Sequence, residues 1–84
     1  MKKPEIVINK YIRTEDGDLK IGENINCTYR GKHNTYTCSG TIKDILPDSI
    51  VLHYVTLDED YILEGEMFLK ISRVSDLKLD PLPF

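Results

Sequence analysis

Four side chains in this sequence have the chemistry to ligate a soft metal or act as a nucleophile: Cys27, His33, Cys38 and His53. A tetrahedral zinc site usually draws its ligands from close pairs such as C-x₂-C. Here the cysteines stand eleven apart in the sequence. They meet only if a hairpin folds them together, and then read as two small buried hydrophobes packing across strands. An adjacent cross-strand pair could also oxidise where its geometry allows. We expect no metal and no cofactor. Catalysis needs a nucleophile, a base within hydrogen-bond reach and a group that orients the base. His53 sits among apolar residues, His33 falls in a turn, and no Gly-rich phosphate loop is present. The sequence therefore points away from an enzyme.

The charges are more informative. The 84 residues carry 11 Lys+Arg and 14 Asp+Glu, a formal charge of −3. From Asn24 to Lys43 there is no acid, only Arg30, Lys32 and Lys43. From Asp44 to Leu69 there is no Lys or Arg. That stretch holds Asp44, Asp48, Asp58, Glu59, Asp60, Glu64 and Glu66. The two stretches are ordinary solvated loops or patches that meet partners of opposite charge, including another copy. Two candidate surfaces follow. One is acidic and would bind a protein partner: Asp58, Glu59, Asp60, Glu64 and Glu66. The other would bind single-stranded RNA by stacking and charge: Tyr29, Arg30, Lys32, His33 and Tyr36. Three cations make a thin phosphate footprint, and an acidic chain repels nucleic acid.

Beneath these patches, β-branched residues, Tyr and period-two alternation dominate, and helix signals are scarce. The length allows one domain, residues 1–84, with residues 80–84 a loose tail. A domain of this size buries only about 60 % of its unfolded surface, so its core is limited. No apolar run nears the roughly 18 residues of a membrane span, and no leader segment is evident. A reducing cytoplasm is the expected setting. The Ile-, Lys- and Asn-rich composition suits an AT-rich bacterial or phage genome.

The central hairpin is the clearest element. A four-residue loop, Gly31–Asn34, pairs Arg30 with Thr35 and sets the register. Tyr29 then faces Tyr36, Cys27 faces Cys38 and Ile25 faces Gly40. On the other face Thr28 meets Thr37 and Asn26 meets Ser39. Ile21 extends the apolar row of the first of these strands. Residues 5–13 form one strand or a short helix. Further strands are expected over Ser49–Leu57, covered on both faces, and over Glu66–Ser72 with Met67, Leu69 and Ile71 inward. A helical turn follows at Arg73–Asp76, then a closing strand at Leu77–Leu79.

Ile25-Asn26-Cys27-Thr28-Tyr29-Arg30-Gly31, Gly40-Thr41-Ile42-Lys43-Asp44-Ile45 and Asp48-Ser49-Ile50-Val51-Leu52 together resemble the first motif of Sm-like small barrels, and more generally of SH3-like barrels. The resemblance covers about a third of the chain. It implies an all-β fold, a five- or six-stranded antiparallel barrel with Gly40 at a sharp bend. It also implies an oligomeric ring that binds RNA. The sequence departs from that family in having Ser49 where an Asn is usual, and no Gly in Lys70-Ile71-Ser72-Arg73. The function favoured by the residues is a non-enzymatic module that binds a protein partner or itself. It would be a phage or bacterial accessory or inhibitor protein.

Overall fold

The computed structural model describes residues 4–7 and 10–80. The chain is all-β. Eight strands run in order: β1 (Glu5–Val7), β2 (Tyr11–Thr14), β3 (Gly17–Lys20), β4 (Asn24–Arg30), β5 (Thr35–Ile45), β6 (Ser49–Leu57), β7 (Tyr61–Lys70) and β8 (Val74–Leu79). They form an antiparallel three-stranded sheet, β1-β2-β3, and a five-stranded sheet ordered β7-β6-β5-β4-β8. The all-β, antiparallel architecture is the expected one, with eight strands in two sheets in place of five or six. Among the described residues no ladder joins β7 to β8, so the larger sheet does not close.

The segment expected as one strand or helix, 5–13, is a hairpin. Lys10 adopts a left-handed φ of 67°, and its N–H donates to the Val7 carbonyl at 2.8 Å. Reversal places Ile6 opposite Ile12, and Ile12 opposite Leu19. One apolar row of the small sheet thereby reaches the common core, where Ile12 and Leu19 are buried. A single straight strand would have left half of that row in water. The Glu15-Asp16 turn is closed by Thr14, whose hydroxyl donates to the Gly17 carbonyl at 2.6 Å.

The β4–β5 register is the one that alternation and loop length dictate, from Arg30↔Thr35 to Ile25↔Gly40. Ile21 does not join it. Ile21 lies in the turn before β4 and is exposed, because Gly22 at φ 97° breaks the strand there. Gly40 faces inward at the tightest approach of β5 and β6. A Cβ there would lie 3.1 Å from the His53 carbonyl oxygen and 3.3 Å from Val55 Cγ2. Bulges beside it, between Ser39 and Thr41 and between Ile42 and Asp44, bend β5 strongly.

β6 spans Ser49–Leu57 as alternation predicts. Ile50 and Leu52 face the core, Val51 is buried on the opposite face, and Tyr54 is 77 % exposed. The expected cover on both faces is therefore partial. β7 begins at Tyr61, five residues before the predicted Glu66. The Glu64-Gly65 pair, which lies before the predicted start, is a bulge within the strand. Between Leu63↔Val55 and Glu66↔His53, two β7 residues stand opposite Tyr54 alone. Tyr54 at φ 57° and Gly65 at φ 85° absorb the irregularity. Met67 and Ile71 pack on the core and Leu69 is fully buried. The helical turn is a 3-10 turn at Ile71–Arg73, two residues earlier than expected. The closing strand β8 is correspondingly longer and returns beside β4. The tail expected from residue 80 lies outside the described residues beyond Asp80.

Candidate interaction surface

Cys27 and Cys38 are directly opposed on β4 and β5, free, and 1 % and 0 % exposed. The hydrogen bond that Cys27 shares with Cys38, and then burial, raise the Cys27 thiol above its ordinary range. A thiol held protonated is a weak ligand and a weak nucleophile. Among the described residues, no three His, Cys, Asp or Glu side chains form a group able to hold a metal. His53 stacks on Tyr54, with ring centroids 4.2 Å apart. Its cross-strand neighbour is Glu66, which forms an ion pair with Lys43 of β5.

The basic tip divides by burial. Arg30, Lys32 and His33 are exposed, whereas Tyr29 and Tyr36 are half-buried and pack against the core. The Tyr29 hydroxyl accepts the Lys70 N–H at 3.3 Å, tying β4 to the end of β7. Tyr36 lies against Gly31, where a Cβ would stand 3.0 Å from its ring. The Arg30 carbonyl accepts from the Arg73 guanidinium at 3.1 Å. The two rings form a cross-strand packing pair beside three exposed cationic or titratable side chains.

The acidic candidates fall into three roles. Asp58 is structural. Its carboxylate accepts the Thr37 N–H at 2.9 Å, and its own N–H donates to the Thr37 carbonyl at 2.8 Å. At φ 51° it holds the β6–β7 turn against the start of β5. Glu66 is engaged by Lys43. Glu59, Asp60 and Glu64 are exposed. Glu64 and Glu66 lie on β7 and not in a loop, so the acids line one strand and the turn leading into it.

The two sheets leave four edge strands, β1, β3, β7 and β8. β7, ten residues long, stands at the edge of the larger sheet and pairs, among the described residues, with β6 alone. A fully extended strand of this length presents about 33 Å of main chain with an open edge of N–H and C=O groups, closed at its end where the Lys70 N–H donates to the Tyr29 hydroxyl. Its side chains add Tyr61, Ile62 and Phe68, which are 59 %, 74 % and 59 % exposed. On the neighbouring β6, Tyr54 extends the same apolar surface. Sequence reasoning located the acids but missed these four. The signal was present in the alternation of Ile62 and Phe68 against Leu63, Met67 and Leu69, which keeps one parity straight through Glu64-Gly65; the parity changes on β6 instead, where Ile50, Leu52 and then Val55 face the core. Three shallow grooves complete the surface. One lies between the β2–β3 turn and the outer face of β4 and β8, lined by Thr14, Asp16, Asn26, Thr28 and Lys78. Another lies where β1 meets the β5–β6 turn, lined by Ile6, Val7 and Pro47. The third lies on the outer face beside Tyr54, Asn24 and Thr41.

The chain matches no family model, no curated protein and no solved structure. Its own geometry therefore carries the functional reading.

Proposed function

We propose that this chain is a non-enzymatic interaction module, a small acidic all-β domain that binds a protein partner through β7 and the turn before it. One observation carries the reading: a ten-residue edge strand displays Tyr61, Ile62 and Phe68 to solvent among Glu59, Asp60 and Glu64. Aromatic and apolar side chains without a cover are the usual anchors of an interface core, and charges at its rim steer approach and choose partners. No group of side chains described above assembles a catalytic constellation. An SH3-like small barrel is the finer form we propose for the fold. It is supported by the sharp bend at Gly40 and by a last strand that returns beside β4 after one 3-10 turn. We place the protein in a bacterial or phage-infected cytoplasm, where Cys27 and Cys38 stay free.

The test is affinity capture with wild type and with Glu59→Lys/Asp60→Lys/Glu64→Lys. These side chains are exposed and hold no backbone group in place, unlike that of Asp58. A partner held at low salt should be lost by the variant. The same captured set from both proteins would refute the reading. Light scattering at low and high salt separates a hetero-partner from self-assembly. The RNA-binding ring has less support. Its two tyrosines are half-buried, and the Tyr29 hydroxyl is engaged by Lys70. It predicts salt-sensitive binding of single-stranded RNA, with a shallower salt slope in Lys32→Gln.

A further inference from the structure

A free strand edge can be covered by three kinds of occupant: another edge of the same protein, an identical edge of a second copy, or an extended segment of a different chain. The five-stranded sheet keeps β7 and β8 at opposite ends of its order, so the first does not occur within this molecule. Charge decides between the other two. An antiparallel pairing of β7 with its own copy, centred on the middle of the strand, brings Glu64 and Glu66 of both chains together. Like charges directly opposite on paired strands are destabilising. Acidic side chains on an edge are a standard guard against such self-pairing. The same carboxylates favour a strand that carries Lys or Arg.

We infer that β7 is a strand-addition site for an extended basic segment of another protein, one that alternates Lys or Arg with apolar side chains. This rests on the interaction reading above and specifies the partner's chemistry. The bulge divides the edge at Glu64-Gly65. The longer uninterrupted half runs from Glu66 to Lys70, with Phe68 exposed at its centre. An added strand there would gain main-chain hydrogen bonds at the alternate residues that turn away from β6, the Lys70 N–H excepted because the Tyr29 hydroxyl accepts it. Ile62, Glu66 and Phe68 share the outer face of β7, opposite Leu63, Met67 and Leu69, so the cations of an added strand would lie on that face beside Glu64 and Glu66, with their aliphatic stems along Phe68 and Ile62. Its apolar side chains would lie on the other face, beside the half-buried Leu63 and Met67. Main-chain bonds supply affinity in this mode and alternate side chains supply specificity. Glu66 already has one cation, Lys43, so Glu64 is the carboxylate with more to gain. The exposed turn acids Glu59 and Asp60 extend the attraction past the Tyr61 end.

The probe is the capped peptide Lys-Val-Lys-Val-Lys-Val-Lys, titrated into the folded protein and followed by amide NMR and hydrogen exchange. We expect protection of those β7 amides that point away from β6, with little change on β4. Two N-methylated isomers sharpen the test. Methylation of alternate residues blocks one edge of the peptide in each isomer, so one should bind and the other should not. Glu64→Lys/Glu66→Lys should weaken binding about ten-fold, and high salt should erase most of the difference. Equal binding by both isomers, equal binding of a Glu-for-Lys peptide, or protection elsewhere than β7 would overturn strand addition. So would a doubled mass with β7 protected in the absence of peptide, since the occupant would then be a second copy. If these fail while the captured partner is still lost by the Glu59/Asp60/Glu64 variant, only the strand-addition mode falls. If capture is also unchanged, the interaction reading falls with it.

Discussion

Docking of a partner on β7 requires that Ile62 be free while Leu52, ten positions earlier, is sealed. A pair of truncations tests this directly. Leu52 is 0 % exposed and sits on the middle strand of β5-β6-β7, opposite Ile42 on one side and Met67 on the other. Its Cβ lies 3.4 Å from where a Cβ on Gly40 would stand, so the surrounding backbone is close and cannot collapse into a void. Leu52→Ala should therefore fall in the middle to upper part of the range for sealed leucines, about 3–4 kcal/mol. A domain of this length holds only about 4–13 kcal/mol in total. The loss thus lowers the thermal midpoint by roughly 12–32 °C, at about 4–8 °C per kcal/mol. Ile62 is 74 % exposed, and Ile62→Ala should change stability by less than about 0.5 kcal/mol. Urea titration by circular dichroism reads both variants, at dilute and at high protein concentration. If Ile62→Ala costs as much as Leu52→Ala in the dilute protein, β7 is covered within the molecule and the docking argument fails. If it costs stability only at high concentration, the cover is a second copy.

Other consequences are open to measurement. Gly40→Val should destabilise by about 1–3 kcal/mol through overpacking against the His53 carbonyl and Val55. An unchanged urea midpoint would show that β5 and β6 are not as close as described. The Asp44 carboxylate accepts its neighbour Ile45 N–H at 2.8 Å and the Lys10 ammonium at 3.2 Å. Those bonds hold its pKa below the usual carboxylate range. A depressed folded-state pKa contributes stability that is present above the unfolded value of about 3.9 and lost as pH falls through the folded one. Lys10→Met should raise the Asp44 midpoint in a carboxyl NMR titration, and an unmoved midpoint would remove Lys10 as a cause. Cys27 and Cys38 should resist a thiol reagent in the native state and react together once urea unfolds the chain; rapid labelling of the folded protein would contradict their burial. Lys43→Gln breaks an exposed ion pair and should cost under about 1 kcal/mol. It should also tighten the basic peptide by freeing Glu66, and weaker peptide binding would argue against Glu66 as a contact.

The amino-acid sequence by itself determined the local pieces. The β4–β5 hairpin is legible residue by residue, because alternation and a four-residue loop admit one register that segregates Ile25, Cys27 and Tyr29 from Asn26 and Thr28. The bounds of β6 follow from the turns at Pro47-Asp48 and Asp58–Asp60. The acidic stretch is legible as charge, since no Lys or Arg interrupts it. Tertiary structure decided what those pieces do. Residues 5–7 and 11–14 fold back on each other because the core needs both Ile6 and Ile12, a demand that arises from distant strands. β7 extends back to Tyr61, through a bulge at Glu64-Gly65, because β6 continues alongside and Tyr54 yields there. Asp58 looks like its neighbours in sequence, yet it is bound to Thr37, 21 residues away. Most of all, strand order made β7 an edge. Periodicity records which side of a strand faces a core, and turn residues record where the chain reverses. Neither records which strand is left without a neighbour. That depends on the sum of all the pairings, and in this protein it determines which residues a partner can reach.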